Sequence, residues 1–533
     1  MRNPRNAMKR KFSAALPRRR SLRRSAGSMP QKQRNSAETK EAKMDKLTVK
    51  GTRIVDSHGR ERILTGLNVC DKGRYIEGQR RVYGEQWTKG LAADMKAHGM
   101  DLVRLGITWD AIEPEPGEYN EEYLDFIGGI LDECKESGVY VFLDMHQDLF
   151  SGTELLCGDG APKWATLTGR YKYQPTKIVW AEGYFWGKAV HSAFDSFWNN
   201  IKVKGKGVQV WFEEMWTHVI EKFGDHPAVI GFDFFNEPFP GKSGGKVFRE
   251  IIGRLVSTTV LDKTISKKKL IELATKSDDP ARVLDLYTGK HLRKITSAGD
   301  DIIKTFDTKK YFPFINRMAR ATRKCGNEKF VFLENSYYSN LGIPYSCPRP
   351  ILSGRTDNNV IFSPHAYDFM VDTPSYKYAS NDRVGSIFAE HRRSQQRLGV
   401  PVIVGEWGGF TEGDEWFPHI EFLLDLFDSY KWSNTYWCYF GGFTDTEVYK
   451  KVLTRPHPVA VTGEIESYGY DRENKEFHLS FVQLEETKAK TEIFVPSVPK
   501  YAELDGEEVA IKRKGLFRIS TAPGEHKIKI IFK

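Results

Sequence analysis

The chain has 533 residues, of which 40% are hydrophobic, 13% aromatic and 28% charged. This composition excludes disorder, collagen-like repeats and coiled coil for most of the chain. No stretch approaches 18 consecutive apolar residues, so the sequence predicts no membrane-spanning helix. Six scattered cysteines without a Cys-x-x-Cys pair exclude the usual thiolate zinc spacings and a disulfide-dense scaffold.

The net charge of +10 comes from the N-terminus, because residues 1–37 contain twelve basic residues and no acidic one. Nucleic-acid binding needs a basic face on the folded part, so we expect no nucleic-acid partner. Residues 1–46 are predicted to be a disordered basic extension, with a targeting peptide or an anchor for anionic membranes as alternatives. The extension has no apolar run typical of a secretory signal, which favours an intracellular location, cytosolic or organellar. We expect a monomer.

From about residue 47 short apolar runs alternate with helical stretches, and eight of these runs are predicted to be buried strands. They are 63–69, 102–107, 139–144, 229–235, 330–334, 360–363, 402–405 and 435–440. Near-continuous apolar strands, each followed by a helix, are typical of a parallel sheet covered on both faces. Eight such units predict the α/β class and a closed (β/α)8 TIM barrel over 47–454. Apolar residues at helical spacing between 211 and 223 predict an outer helix of this barrel.

Two regions depart from this alternation. Residues 250–310 are Lys-rich and show helical periodicity with few strand signals, which predicts a helical insertion after the fourth strand. From 455 to 533 short alternating strands, including 477–482, 491–495 and 527–532, predict a small C-terminal antiparallel β-sandwich.

Polar or aromatic side chains follow or end every one of the eight predicted strands, including Asn68 at the first and Glu334 and Asn335 at the fifth. Catalytic groups of such barrels lie at the carboxyl ends of the strands, so these residues are candidates for one site. In chain order the candidates are Lys72, Arg104, Asp144, His146, Asp148, Asn236, Glu237, His365, Tyr367, Glu406 and Trp437. Each motif alone has an ordinary structural explanation, such as a loop after a strand or a buried histidine. Their joint placement on ordered strand ends favours a functional site.

This set suits glycoside cleavage, which needs a proton donor for the leaving oxygen and a nucleophile or activated water at the anomeric carbon. Glu237 and Glu406, at the ends of the fourth and seventh strands, would face each other across the barrel mouth. A retaining mechanism requires a separation of about 5–5.5 Å. Arg104 and Tyr367 could keep one carboxylate ionised by hydrogen bonding, and Trp437 offers a flat face for a sugar ring.

The motifs that hold these residues resemble glycoside hydrolase family 5, namely FFNEP (234–238), VGEWGG (404–409), VRLG (103–106) and SPHAYD (363–368). Longer segments are similar to its endoglycoceramidase branch: LDMHQDLFSG (143–152), GDGAPKWA (158–165), AFDSFWNN (193–200), GFDFFNEPFPG (231–241) and RPHPVAVTG (455–463). The resemblance extends from about residue 47 to the end of the chain.

The resemblance implies a metal-independent, cofactor-free retaining hydrolase with Glu237 as acid/base and Glu406 as nucleophile. It implies that Asn236 binds the sugar 2-hydroxyl, that Lys72, Asp144 and Trp437 hold the sugar next to the lipid, and that the remaining candidates complete the site. The bond cleaved would join a glycan to ceramide in glycosphingolipids presented in membranes or micelles, with peripheral membrane contact. Aromatic residues in two expected loops, 184–186 and 337–338, could line an apolar groove for the lipid.

Three alternatives remain at this stage. The enzyme could act on steryl glucosides, another β-glucoside or a soluble β-glycan, because the sequence does not fix the leaving group. The barrel could be catalytically silent and bind membranes. A metal-dependent hydrolase could use His146, Asp148 and His365, although zinc sites normally pair closely spaced histidines or cysteines, which are absent.

Overall fold

The computed structural model describes residues 44–76, 79–82, 87–175, 180–276, 280–371, 376–409 and 413–533. The prediction for the basic extension therefore lies almost entirely outside the described residues. Across those ranges, no helix combines the length and apolar character that crossing a bilayer requires.

Eight parallel strands form the central sheet, and each of the eight predicted runs overlaps one of them. Their bounds are Thr65–Cys70, Leu102–Ile107, Tyr140–Met145, Val229–Asp233, Phe330–Glu334, Val360–Ser363, Ile403–Trp407 and Ser433–Tyr436. Neighbours along the chain pair in order, and the eighth strand pairs with the first. Parallel bridges between the sixth and seventh strands, at Phe362–Val402 and His365–Glu406, close the circle. The (β/α)8 barrel is thus confirmed.

The interior of the barrel has two chemically different layers, because side chains two residues apart on a strand point to the same face. Leu102, Phe142 and Phe332 belong to an apolar cluster inside the barrel, and the last two rings stack with centroids 4.3 Å apart. Two residues further along the same strands come Arg104, Asp144 and Glu334, all buried. The apolar cluster therefore lies beneath a layer of charged groups at the carboxyl end.

Helices surround the barrel. Their bounds are Leu91–Ala97, Trp109–Ile112, Glu121–Ser137, Glu182–Trp186, Lys188–Trp198, Val208–Phe223, Asn381–Leu398 and Phe417–Tyr430, with short 3-10 turns at Lys163–Ala165, Tyr337–Leu341, Tyr376–Tyr378 and Phe443–Asp445 and a π-helical turn at Val448–Leu453. Short two-stranded hairpins lie at Arg74–Ile76 with Gln79–Val82, Lys202–Val203 with Lys206–Gly207, and Ile351–Leu352 with Arg355–Thr356. Helix Val208–Phe223 contains the predicted stripe, with Met215, Val219 and Ile220 buried.

Between the fourth and fifth strands most of the described residues are helical. The elements are the α-helices Lys242–Leu261, Lys267–Lys276, Gly289–Thr296, Asp300–Phe306 and Phe312–Lys324, the 3-10 turns Pro280–Leu286 and Ser297–Gly299, and the π-helical turn Asp307–Tyr311. Helix Phe312–Lys324 packs on barrel helix Val208–Phe223, whereas Lys242–Leu261 packs on Glu182–Trp186 and Lys188–Trp198. The fourth strand is thus followed by extra helices before the chain returns to the barrel wall.

The C-terminal residues form two antiparallel sheets with a shared apolar core that includes Val461, Phe477 and Ile493. One sheet contains His457–Val461, Thr491–Val495 and Gly515–Ile519, and the other Glu464–Asp471, Glu476–Gln483, Gly524–Ile531, Tyr501–Leu504 and Glu507–Glu508. Three strands before the barrel, Thr48–Lys50, Arg53–Val55 and Glu61–Arg62, extend the first sheet. The domain boundaries that the sequence predicts, after residues 46 and 454, stay predictions.

A buried ion pair joins the barrel to the sandwich. The Arg455 guanidinium, just before the first C-terminal strand, donates to both carboxylate oxygens of Asp428 at 2.5 and 2.6 Å. Asp428 belongs to barrel helix Phe417–Tyr430, and both side chains are buried. Two parallel charge-assisted hydrogen bonds fix orientation as well as contact, so this pair orients the sandwich on the barrel.

We predict that Arg455→Leu lowers the free energy of unfolding by about 3–5 kcal/mol, because it leaves a buried carboxylate without its partner. Equilibrium urea unfolding measures the change. The double variant Arg455→Leu/Asp428→Leu is the control and should recover part of the loss, since it removes both charges. A single variant as stable as the unsubstituted protein would contradict the prediction.

Candidate active site

Arg104 lies at the centre of the charged layer and is 1% exposed. Its guanidinium has five N–H donors in a fixed plane. They contact Glu334 at 2.6 Å, Glu406 at 2.7 Å, Asn236 at 2.8 Å, Asp144 at 3.0 Å, Asn68 at 3.2 Å and Asp233 at 3.4 Å. Burial opposes the charge of Arg104, but the carboxylates around it raise its pKa well above the ordinary value. Arg104 is therefore a permanent cation in the barrel interior.

The buried acids around Arg104 differ in protonation. Burial alone would raise the pKa of Glu334, but the charges of His365 and Arg104 bring it down to about 2. Burial raises the pKa of Asp144 to about 7 and that of Asp233 well above its ordinary value. Glu334 is thus ionised at neutral pH, whereas burial and the charge of Glu334 disfavour the ionised form of Asp233, which limits the repulsion among closely packed acids.

Glu406 ends the seventh strand and is held through both oxygens. Arg104 donates to Oε1 at 2.7 Å, and the Tyr367 hydroxyl donates to Oε2 at 3.2 Å. The ring nitrogen Nδ1 of His365 lies 3.8 Å from Oε2. The hydrogen bonds from Arg104 and Tyr367 therefore fix the orientation of the Glu406 carboxyl group.

Glu237, after the fourth strand, has a strained backbone and a different set of partners. Its φ is 44°, in the left-handed region that non-glycine residues rarely adopt. Its backbone N–H donates to the Glu334 carboxylate at 2.6 Å, which fixes this conformation. The Asn340 amide donates to Oε1 at 2.5 Å, and His365 Nδ1 lies 3.3 Å from the same oxygen. Burial and the nearby charge of Glu406 raise the pKa of Glu237, although the His365 hydrogen bond lowers it.

Glu237 and Glu406 face each other closely. One oxygen of each and a ring nitrogen of His365 all lie within 4.8 Å of one another. Burial lowers the pKa of His365, but the charges of Glu334 and Glu406 outweigh it and raise that pKa well above the ordinary value. The arrangement thus offers a carboxyl with a raised pKa beside a carboxylate with an arginine partner, which suits proton donation and nucleophilic attack.

Gly405 makes room for the central histidine. A Cβ atom at this position would lie 2.5 Å from His365 Nε2 and 2.5 Å from the Ser363 hydroxyl. Any larger residue in place of Gly405 would displace the His365 ring, which contacts both glutamates.

A second group of candidates lies beside this pair. The His146 ring stacks on Trp437 with centroids 5.2 Å apart, and Nδ1 of His146 lies 2.9 Å from the Asp144 carboxylate. Lys72 pairs with Asp148, and its ammonium lies 5.0 Å from the centre of the Trp437 ring. Burial and the charge of Lys72 lower the pKa of His146 to about 3, so this ring is neutral.

Asn236 is fixed from two sides. Its side-chain oxygen accepts from Arg104 at 2.8 Å, and its amide donates to the Gln147 carbonyl at 3.0 Å. All eleven candidates thus lie in one network around Arg104 or in the Lys72–Trp437 group next to it.

The three residues of the metal alternative do not form one cluster. His146 and Asp148 group with Asp159, whereas His365 groups with the two glutamates. The Lys72 ammonium already lies against Asp148 and 3.6 Å from Asp159. Because the Lys72 ammonium already neutralises the Asp148 and Asp159 carboxylates, a metal ion is disfavoured at this position.

The sequence missed several residues of the network. Asn340, which contacts Glu237, lies in the 3-10 turn after the fifth strand and has no distinguishing motif. Asp233 was detectable as an acid within an apolar strand, whereas Glu334 is recognised as the polar end of the fifth predicted strand but is not among the candidates. The expected aromatic loops are also partly wrong, because Tyr184 lies in helix Glu182–Trp186 and, like Tyr338, is buried.

Comparison with known proteins gives two family matches. Residues 55–441 match the model described as cellulase, glycosyl hydrolase family 5. Residues 455–530 match the model of the glycoside hydrolase family 5 C-terminal domain.

Curated relatives align over parts of the chain. An endoglycoceramidase of Cyanea nozakii is 32% identical over 212 residues, which are 35% of this chain and 40% of the relative. An ergosteryl-beta-glucosidase of Saccharomyces cerevisiae is 37% identical over 199 residues, 28% of this chain and 26% of the relative. The chain thus spans two fifths or less of the length of these relatives.

A solved structure extends the comparison to nearly the whole chain. The complex of endo-glycoceramidase II from Rhodococcus sp. with ganglioside GM3 has a TM-score of 0.69 and 22% identity, and covers 91% of this chain and 100% of that one. At this identity the likeness shows the fold, a barrel followed by a C-terminal β domain. Because the first family model covers well over half of the sequence, the protein belongs to glycoside hydrolase family 5.

Proposed function

We propose that this protein is a retaining β-glycosidase that hydrolyses the bond between glycan and ceramide in glycosphingolipids, of the endoglycoceramidase or glucocerebrosidase type. The observation that carries the proposal is the buried pair Glu237 and Glu406, with oxygens within 4.8 Å and unlike partners. Retaining enzymes use carboxyls about 5–5.5 Å apart, whereas inverting enzymes need about 6.5–9.5 Å to fit a water molecule. The short separation supports double displacement.

In the first step Glu406 attacks the anomeric carbon while Glu237 donates its proton to the glycosidic oxygen. The bond to the lipid breaks, the lipid leaves as an alcohol, and the sugar remains as an ester on Glu406. In the second step the Glu237 carboxylate takes a proton from water, which attacks the ester and releases the sugar. The raised pKa of Glu237 suits the first step, and the hydrogen bonds from Arg104 and Tyr367 hold Glu406 in place as nucleophile and leaving group.

The other candidates would bind and orient the sugar. Asn236 keeps a second amide hydrogen for the sugar 2-hydroxyl, since its side chain makes one donor contact, to Gln147. Trp437 offers an aromatic face next to the ammonium of Lys72. Asp144 positions Arg104 and His146. Asp148 orients Lys72, and His365 orients the two glutamates.

Aromatic side chains beside Glu237 support a lipid leaving group. The Tyr337 ring packs 4.2 Å from the Tyr184 ring, and the Tyr337 backbone N–H donates to the Pro238 carbonyl, which places aromatic side chains against the loop that carries Glu237. The Cyanea endoglycoceramidase and the GM3 complex of the Rhodococcus enzyme support ceramide as the lipid. The yeast ergosteryl-beta-glucosidase supports a sterol as the second candidate.

The chain's thiols bear on the compartment. All six cysteines are free, as is usual for proteins of a reducing compartment. This supports an intracellular location for the enzyme, which we propose acts as a monomer on glycolipid in membranes or micelles.

We predict that the full chain releases sugar from glycosphingolipids in detergent micelles and that Glu406→Gln abolishes this turnover while the fold stays intact. The amide cannot act as a nucleophile. Mass spectrometry of products from matched micelles of glucosylceramide, an oligosaccharide ceramide and a steryl glucoside identifies the leaving group. Cleavage of soluble β-glycans alone would refute the glycolipid assignment, and a fluorosugar label on any residue other than Glu406 would refute the nucleophile.

We predict that Glu237→Ala slows cleavage of the natural glycolipid by about 10²–10⁴-fold, the usual contribution of a general acid. The loss should be much smaller for an aryl glycoside with a good leaving group, which departs without protonation. Steady-state rates on both substrates test this difference. Equal losses on the two substrates would argue against Glu237 as the acid.

We predict that the loss of activity on the alkaline side of the pH profile follows the deprotonation of Glu237. The acid must be protonated, so activity is lost as the pH rises through its pKa, which lies above the ordinary value of 4.5. In Glu406→Gln the pKa of Glu237 should fall, because the negative charge that raises it is gone. Carbon NMR titration of labelled glutamate measures the shift, with Glu485→Gln on the exposed surface as a control that should not change it. An unchanged pKa in Glu406→Gln would contradict the coupling of the two carboxyls.

A further inference from the structure

Exposed apolar side chains are concentrated on one part of the helical insertion. Five of the twelve large apolar side chains exposed among the described residues belong to helices Lys242–Leu261 and Lys267–Lys276. They are Ile252, Val256, Val260, Leu261 and Ile271, and together we call them the apolar face. Clusters of this kind on a protein surface usually mark an interaction site.

The spacing on the first helix is regular. Ile252, Val256 and Val260 are four residues apart, so they lie on one side of the helix, and Val256 and Val260 are 58% and 65% exposed. The neighbouring side of the same helix packs against the protein, because Ile251 and Leu255 contact the small apolar core around Tyr287. The helix thus has a second apolar side, which stays exposed among the residues that the structure describes.

Basic residues surround the apolar face. Residues 242–276 contain nine Lys and Arg and three acidic residues. Arg249 lies on the exposed side of the first helix, and the second helix begins with the exposed run Lys267, Lys268 and Lys269. An apolar side flanked by cations is the pattern of helices that lie in the headgroup region of anionic membranes. A second copy of this chain would bring the same positive charges together, which disfavours a symmetric dimer through this face.

The apolar face is connected to the catalytic loop. Helix Lys242–Leu261 begins five residues after Glu237, and a Cβ atom at Gly244 would lie 2.3 Å from the Phe239 ring, so the helix packs tightly on that loop. Further along the helix, Phe248 stacks on Phe185 at 4.6 Å and meets the exposed ring of Trp186 at 5.6 Å. Trp commonly lies at membrane interfaces, with its apolar body buried and its N–H hydrated.

We propose that helices Lys242–Leu261 and Lys267–Lys276 dock on an anionic lipid bilayer. The apolar face enters the acyl boundary and the flanking Lys and Arg bind lipid headgroups. As an account of how a lipid-anchored substrate reaches Glu237, the inference rests on the proposed glycolipid specificity. Docking itself needs no substrate, so the two can fail separately.

The first test is vesicle sedimentation of the full chain with glycolipid-free vesicles of phosphatidylcholine, with and without phosphatidylserine. We expect binding to the anionic vesicles that weakens as salt screens the charges. We expect two variants to weaken this binding at least about tenfold. Val256→Glu/Val260→Glu places negative charges in the apolar face. Lys267→Glu/Lys268→Glu/Lys269→Glu removes three basic residues, each of which contributes about 1 kcal/mol near the surface. The matched control, Leu484→Glu/Val498→Glu, places the same charges at exposed apolar positions of the sandwich and should bind normally.

The second test separates docking from catalysis. The face variants should keep the unsubstituted rate on a soluble aryl glycoside and lose rate on glycolipid in anionic vesicles, with unchanged thermal unfolding. Vesicle binding equal in all variants would overturn the docking proposal, as would self-association that the valine substitutions abolish in light scattering. Vesicle binding by a protein that leaves glycolipids uncleaved in micelles would keep the docking surface and reject the proposed function.

Discussion

The site depends on one buried cation, Arg104, which contacts six side chains from other strands or strand ends. A carboxylate inside a barrel loses its hydration, and only a partner charge and hydrogen bonds compensate for that loss. The second strand supplies the cation, and the first, third, fourth, fifth and seventh strands supply the acceptors. The guanidinium therefore couples the position of each strand end to the others.

This shared cation also makes the two glutamates unlike. Glu406 receives the Arg104 guanidinium directly, whereas Glu237 contacts the Asn340 amide and His365, and its backbone is anchored on Glu334. The barrel thus places Glu406 against Arg104, whereas burial and the charge of Glu406 raise the pKa of Glu237. A difference of environment, rather than of residue type, assigns acid and nucleophile to two identical side chains.

Much of the fold could be predicted because buried parallel strands leave a strong local pattern. The apolar runs located all eight strands, and the polar group that ends each run located Glu237 and Glu406. Asn340 could not be found, since a turn residue carries no periodic signal. The strands Thr48–Lys50 and Arg53–Val55 could not be assigned to a sheet, because their place beside the C-terminal strands depends on pairing across about 400 residues. Local patterns predict elements and strand ends, but not distant pairing.

The helical insertion shows how such a barrel can acquire a new surface without disturbing its chemistry. The loop that carries Glu237 is fixed at one end by the Glu334 carboxylate and at the other by the contact of Gly244 with Phe239. Residues beyond Gly244 can therefore vary in length and composition while the acid keeps its place. In this chain they form helices with an inward apolar side around Leu255 and an outward one at Val256 and Val260. Among the described residues the outward side stays exposed, so packing within that part of the fold does not explain its apolar character, whereas the membrane docking that we propose does.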